Sequence, residues 1–508
     1  MKNGQPVNIP LVVDLHIEAF AGGTVTRCES CSTNIVYDQY ADGRWYATQR
    51  PGLNVSEDAS GTVSDARGRG GYYWDAVTEK YLVNNDTVYK SSYAGSTMTI
   101  SEGTTRVFMG EVGTNLVILD QENDEGWYIT TGASTTINQI AAAGFTGLTL
   151  VRGGAIINDK LYVGSTDGII AECDVSDPTT WNTLNQATAE LSPDKLVAIA
   201  EHIQHVVAFG TRTIEFFSQN QNATGSTLTA RLDISYAIGI VNQDAFWQIG
   251  DVLYFVGQES GSLGVYAINA FSLQKLSGED MDKFLTTAVN VENAGITLCG
   301  TEIGGRHFLT LTTHYTTTDI SPQQTLIYSA FRPFWGFWDT NLSEFDYFPL
   351  VAWMKDTTTR NGEGILINGD TVTIYDSNTP VDTVAASGVY EAGVFEVGVY
   401  LETPGSGTDI SFEVITGQID LGTTLRKRSG DLWIVATPLE TSDTITVYTS
   451  DDDELKDNTW TSRGTLDVSE IDDRLNRLGP YRRRNHKIAG TLSEQYRMEK
   501  IQTSARVG

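Results

Sequence analysis

Three glycines that each close an apolar strand, Gly164, Gly210 and Gly257, stand 46 and 47 residues apart, and this spacing restricts the fold more than any other feature of the chain. The same order of residues recurs around each one. The first copy runs through Ile156-Ile157, the turn Asn158-Asp159, Leu161-Tyr162-Val163-Gly164, a turn through Asp167-Gly168, and Ile169-Ile170. The second has Val206-Val207-Ala208-Phe209-Gly210, then Ile214-Glu215-Phe216-Phe217. The third has Ile249, the turn Gly250-Asp251, Leu253-Tyr254-Phe255-Val256-Gly257, and Val265-Tyr266-Ala267-Ile268. Several short strands in a repeat of ~45 residues point to a β-propeller. One small twisted sheet cannot bury both faces alone. Packed radially, each sheet covers its neighbour and only short edges remain.

Looser copies flank these three. Tyr72-Tyr73-Trp74 with Tyr81-Leu82-Val83, and Leu116-Val117-Ile118-Leu119 with Trp127-Tyr128-Ile129, come before them. His307-Phe308-Leu309-Thr310-Leu311 with Leu326-Ile327-Tyr328, and Ile365-Leu366-Ile367 with Val372-Thr373-Ile374-Tyr375, follow. The first and last hairpins have similar turns, Asn84-Asn85-Asp86 and Asn368-Gly369-Asp370. If they share one blade, the ring has six blades; if not, seven. The expected class is therefore all-β, with a propeller over residues 55–380. Past Pro380 the texture changes to small residues and Gly over 385–417, then strands at Asp431–Ala436 and Thr444–Thr449. This reads as a second, sandwich-like β-domain over 381–508, which the N-terminal segment 1–54 is placed to join. Short helical turns are expected only at Ala187–Ala200 and Glu279–Asn290.

Composition agrees. Phe, Trp and Tyr make up 10% of the chain, and 49 Gly stand against 12 Pro, a mixture suited to strands and tight turns. The formal charge is −30, but residues 471–508 hold nine Lys/Arg against four Asp/Glu. The remainder holds 25 Lys/Arg against 60 Asp/Glu, and so acidic a body repels nucleic acid rather than gripping its phosphates. A channel through which DNA must slide benefits from such walls. The N-terminal run Ile9-Pro10-Leu11-Val12-Val13 is shorter than a secretory core. No stretch approaches the ~20 apolar residues of a membrane helix, so no membrane insertion is expected.

No catalytic residue, cofactor or metal site is expected. Cys28 and Cys31 form a lone C-x-x-C, with Cys173 and Cys299 apart, where structural zinc needs about four ligands; all four read as reduced thiols. His16, His202, His205, His307, His314 and His486 are scattered and read as surface or turn residues. Asp451-Asp452-Asp453-Glu454 lacks the calcium-loop spacing and reads as a solvated hairpin tip. Ser450-Asp451-Asp452-Asp453 with Thr459-Trp460 faintly resembles the Asp-box turn of sialidase propellers, a structural motif, at stretched spacing. A carbohydrate-binding or glycan-hydrolysing propeller, which needs paired carboxylates, and a generic protein-interaction propeller are the alternatives to the reading below.

From Ser176-Asp177-Pro178-Thr179-Thr180-Trp181, through Ala187-Thr188-Ala189-Glu190 and Pro193-Asp194-Lys195-Leu196-Val197, the chain resembles the packaged-DNA stabilisation proteins, the tail-hub proteins of short-tailed (podovirus) phages. Phe209-Gly210-Thr211-Arg212-Thr213-Ile214-Glu215-Phe216-Phe217 and Asn222-Ala223-Thr224-Gly225 continue the likeness. Further echoes come in order: Cys28 to Tyr37, Arg50-Pro51-Gly52-Leu53, Gly305-Arg306-His307-Phe308, Ile327-Tyr328 to Trp338, and Arg477-Leu478-Gly479-Pro480-Tyr481-Arg482-Arg483-Arg484. Residues 385–417 and the acidic loop do not align. The resemblance implies a virion protein of the tail, made in the host cytoplasm. It implies a homo-oligomeric ring, a hexamer, that retains packaged DNA and passes it outward. Its implied partners are a portal-adaptor protein and tail fibre, spike or needle proteins, with viral DNA passing through without tight binding.

The basic cluster near the C-terminus is the candidate contact surface. Three adjacent arginines on a strand would point to both faces. Arg482, Arg483 and Arg484, with Lys487, are therefore expected to cross a subunit or partner interface and pair with acidic surfaces.

Overall fold

A computed structural model describes residues 5–508 apart from 22, 51–52, 58–67, 91–96, 134, 190–192, 221–224, 291–294, 304–305, 315–321, 332, 340–349, 356–361, 367–370, 375–380, 383–407, 421–424, 452–458, 472, 494–495 and 508. Among the described residues, seven antiparallel sheets follow one another around an axis. The first four blades are simple four-stranded meanders spanning 68–99, 108–139, 155–188 and 196–236. Blade 5 spans 239–275, and both Gly239–Ile240 and Phe246–Ile249 pair with Val252–Glu259. Blade 6 covers 296–338. Blade 7 takes three strands from 350–374 and its outermost strand, Leu53–Glu57, from the N-terminal side of the chain.

That last pairing closes the ring. Thr371 to Ile374 are registered against Glu57 to Leu53, so one blade is built from both sides of the propeller sequence. The hairpins proposed to share a blade lie instead in separate, neighbouring sheets. Leu82 and Tyr89 of blade 1 pack on Ala352 and Met354 of blade 7. Of the two blade counts that the repeat allowed, seven is the one observed.

Of the repeating glycines, Gly164 sits where two blades meet. A Cβ on Gly164 would lie 2.7 Å from Val151, 2.8 Å from Leu196 and 2.9 Å from Ile199, the last two on the innermost strand of blade 4. Each apolar core accordingly lies between blades rather than within one. Ile118 and Val107 pack with Tyr81 and Val83 across blades 1 and 2, and Leu161 and Val163 with Val117 and Leu119 across blades 2 and 3.

The helix at Glu279–Asn290 forms as expected, with Glu279, Asp280 and Asp282 at its positive end. Met281, Phe284, Leu285 and Ala288 make its buried stripe. The other helical expectation is overturned: Asp177–Thr188 and Leu196–His202 are strands. Ala198 and Ala200 favour a helix locally, but they sit on the innermost strand of blade 4, where cross-strand pairing and burial outweigh propensity.

A further sheet, with Ile35, Tyr37, Leu432, Ile434 and Ile501, faces a layer with Phe412, Val414, Ile445, Val447 and Ile488 that continues the sheet of blade 6. Gln5–Ile9 pairs with the last strand, Met498–Val507. Thr24–Thr33 bridges blade 6 to this sandwich, pairing with Trp335–Trp338 on one edge and Ser411–Ile415 on the other. A polar knot secures the join. Arg50 is fully buried, and its Nε donates to Asn34 Oδ1 at 3.0 Å and to the Asp339 carbonyl at 3.1 Å. Asn34 in turn donates to the Asp339 carboxylate and to the Ser411 carbonyl.

Candidate functional site

The four basic residues singled out from sequence do not share one environment. Gly479–Tyr481 belongs to one sheet of the sandwich and Asn485–Thr491 to the other, so Arg482 and Arg483 form the bend between sheets rather than a strand. Arg482 is exposed and Arg483 half-buried, while the Arg482 carbonyl accepts a hydrogen bond from Lys427 Nζ at 2.7 Å. Arg484 is completely buried. Its Nε and Nη2 donate to the two oxygens of Asp451 at 2.6 and 2.9 Å, and its guanidinium lies 4.4 Å from the Tyr481 ring centre. Lys487 pairs with Glu413 beside the rings of Tyr448 and Trp460. The structure thus commits Arg484 and Lys487 to internal ion pairs and leaves Arg482 and Arg483 at a corner of the molecule.

Those pairs also correct the reading of the neighbouring acids. Asp451 is exposed, but it holds Arg484 and also accepts from Arg463, so its charge is paired rather than left to solvent; Asp452, Asp453 and Glu454 lie outside the described residues. Ser450-Asp451 ends the strand Thr444–Ser450 of the sandwich, away from any propeller blade. Two histidines are not surface residues. His202 and His486 are at 0% and 1% exposure, and none of their four ring nitrogens has a hydrogen-bond partner. Burial lowers the pKa of both; for His486, with Arg484 and Arg463 adding to it, the value is about 3.

Cys28 and Cys31, expected as free thiols, are joined as a disulfide. Their Cα atoms are 6.2 Å apart, where three residues of extended strand would span ~10 Å. The strand is bent there, beside several register shifts in its pairing with His16–Ala21. Cys173 and Cys299 are buried and free, and burial pushes both thiols up to about 12, which keeps them unreactive.

A second basic cluster lies on the propeller axis, where charge was not expected. Arg69, Arg106 and Arg152 stand at or just before the innermost strands of blades 1, 2 and 3. Arg69 Nη2 donates to Asp120 at 2.7 Å and its Nε to the Thr105 carbonyl at 2.7 Å. Arg106 reaches Asp244 and the Leu298 carbonyl, and so ties blade 2 to blades 5 and 6 across the axis. Arg152 approaches the same Asp244 oxygen at 3.4 Å. These residues were legible in principle: an arginine recurs at the same place in three successive repeats, a periodicity hidden by attention to the apolar strands.

The outer rim differs again. Asp177–Thr188, twelve residues, and Leu228–Tyr236, nine residues, are the outermost strands of blades 3 and 4, and each ends its sheet. Leu184 is 77% and Leu232 76% exposed on them.

A family model described as bacteriophage P22 Gp10, beta-propeller, matches residues 34–356. No curated protein matches in sequence. Among solved structures, a chain in the S. cerevisiae assembly of Dbp5 bound to Nup159, Gle1, IP6 and ADP is similar at 7% identity and a TM-score of 0.37, over 67% of this chain and 98% of that one. A chain of the mitotic checkpoint complex is similar at 13% identity and a TM-score of 0.35, over 63% and 95%. Likenesses that weak add nothing to the assignment. The family match is different in kind: it spans most of the chain, starts at the Asn34 that anchors the polar knot, and names the fold that the seven blades display. The chain therefore belongs to the phage P22 Gp10 β-propeller family, the packaged-DNA stabilisation proteins of short-tailed phages, and is a structural phage protein.

Proposed function

We propose that this protein is a subunit of the tail hub or nozzle, that six copies form a ring, and that the ring retains packaged DNA and conducts it at ejection without catalysing a reaction. The observation that supports the reading is the pair of long outermost strands on blades 3 and 4, which end their sheets among the described residues. A strand of nine to twelve residues at a sheet edge, with an exposed leucine, invites pairing with another chain unless something covers it. A neighbouring copy is the cover proposed here.

The conduit is then the lumen enclosed by the ring and not the axis of one propeller, which Phe108, Phe246, Trp247 and Trp353 crowd. Six copies would carry six times −30, or −180 charges, and a lumen drawing on that surface would repel the phosphate backbone and let it slide. Arg482 and Arg483 stand out from this acidic surface and are proposed to meet an acidic face of the next copy or of a portal-adaptor protein. The C-terminal unit, 381–508 with the N-terminal segment that precedes the Leu53–Glu57 strand, would carry that contact and the docking of fibre, spike or needle proteins. The protein would then reside in the virion tail after synthesis in the host cytoplasm.

The test is assembly. Ring formation, scored by mass photometry with the portal–adaptor complex as template and by electron microscopy of virions, should be lost in Leu184→Glu/Leu232→Glu while the isolated chain still melts cooperatively. Rings that form normally from that variant would remove the edge argument. A 55.5 kDa monomer absent from virions would favour a glycan-binding propeller or a protein-interaction scaffold instead.

A further inference from the structure

The propeller axis encloses a cavity of 540 Å³ whose walls come from the innermost strands of six of the seven blades. That volume falls within the range of small-molecule sites. Its middle is apolar, bounded by Phe108, Ile156, Phe246, Trp247 and Trp353. Its two ends differ in charge. Arg69, Arg106 and Arg152 line one end. Glu111 lies five residues along its strand from Arg106, and Glu201 three residues past Ala198, the bridge partner of Arg152, so both glutamates belong to the opposite end.

Among the described residues, guanidiniums outnumber carboxylates at the basic end. Three guanidiniums share two carboxylates, Asp120 and Asp244. Arg69 and Arg106 spend their remaining N–H groups on carbonyls of Thr105, Asn85, Leu298 and Asp244. Arg152 does not. Its side chain is 7% exposed, it shares an Asp244 oxygen already held by Arg106, and its Nη1 is buried with no hydrogen-bond partner. Burial, with Arg106 and Arg69 close by, pulls its pKa down to about 9 despite Asp244. A buried cation without a full complement of acceptors is costly, and an anion placed against it recovers that cost.

We propose that the axial cavity binds a small monocarboxylate with a compact apolar body, its carboxylate beside the Arg152 guanidinium at the basic end and its body against Trp247 and Trp353. The apolar walls select against a bare ion, and Glu111 and Glu201 fix the direction by repelling the carboxylate from the other end. Bound there, the ligand would add an acceptor at the centre that the blades share. This site is independent of the tail assignment, since it lies within one subunit and needs no partner.

The test uses the full-length chain and 6-bromohexanoate, whose bromine quenches tryptophan only at contact. Emission should fall saturably, with 6-bromohexanol at least about tenfold weaker and acetate a poor competitor. Arg152→Gln leaves two arginines with two carboxylates, so the cluster remains balanced; it should weaken bromohexanoate at least about tenfold, and Arg152→Lys should restore part of the binding. Linear quenching equal for acid and alcohol would overturn the proposal, as would unchanged affinity in Arg152→Gln. Acetate competing as well as the longer acid would overturn the role given to the apolar walls. Ring assembly that fails while quenching stays saturable would sink the tail-hub reading and leave this one standing.

Discussion

Acid should loosen the C-terminal sandwich through a single imidazole. His486 lies on Asn485–Thr491, buried among Arg484, Arg463 and Thr416, with neither ring nitrogen hydrogen-bonded and its pKa held at about 3. In the unfolded chain the same ring binds a proton near pH ~6.5. Because the folded-state value is the lower one, the unfolded chain takes up more protons below that pH. Stability is therefore intact above pH ~6.5, falls as pH drops, and stops falling only near pH ~3. Each pH unit in that window costs ~1.4 kcal/mol, so at pH ~5 the loss through this ring is about 2 kcal/mol. His486→Leu removes the titrating group along with two unsatisfied nitrogens and should abolish this component. Native-state hydrogen exchange on peptides covering 485–491, corrected for intrinsic rates, measures it locally. Between pH ~7 and ~5, protection in the wild type should fall about 30-fold more than in the variant. An equal fall in both would refute the claim that a neutral, buried His486 carries the acid sensitivity.

The remaining predictions concern packing and charge. Arg484→Ala removes both bonds to Asp451 and empties a fully buried site, and should lower stability by about 2 kcal/mol, whereas Arg482→Ala, at an exposed position, should leave the urea midpoint unchanged and show its effect only on assembly. Gly164→Val would press against Val151, Leu196 and Ile199, all within 3 Å of the new Cβ, and should cost about 1–3 kcal/mol by urea unfolding. Arg50→Ala empties the polar knot between blade 6 and the sandwich and should destabilise by about 3 kcal/mol, because the Asn34 and Asp339 acceptors lose their buried donor. A midpoint within a few tenths of a molar of wild type for either Gly164→Val or Arg50→Ala would contradict the corresponding contact.

Charge was the least legible part of the site. Arg482, Arg483, Arg484 and Lys487 form one run in the sequence, yet Arg484 and Lys487 face acids contributed from 33 and 74 positions away, Asp451 and Glu413. The acids that meet the axial arginines come from other blades for the same reason. Asp244 reaches Arg106 across 138 positions, a contact no local pattern announces. The buried histidines were misread because two neutral imidazoles among apolar strands look, in sequence, like any pair of polar residues near a turn.

The repeat itself was decisive without coordinates. Glycines at intervals of 46 and 47 residues, each following an apolar run, mark a repeat of several short strands, and such a repeat specifies radially packed sheets because no single small sheet can bury both its faces. Local pattern also sufficed for the helix at Glu279–Asn290, whose apolar stripe recurs every three to four residues. Tertiary structure alone decided that Leu53–Glu57 closes blade 7, that the Ala198 segment extends, and which arginines are spent inside. Periodicity records how a residue relates to its near neighbours along the chain. Ring closure and charge pairing join residues tens to hundreds of positions apart, and their energies exist only once the chain has folded to bring them together.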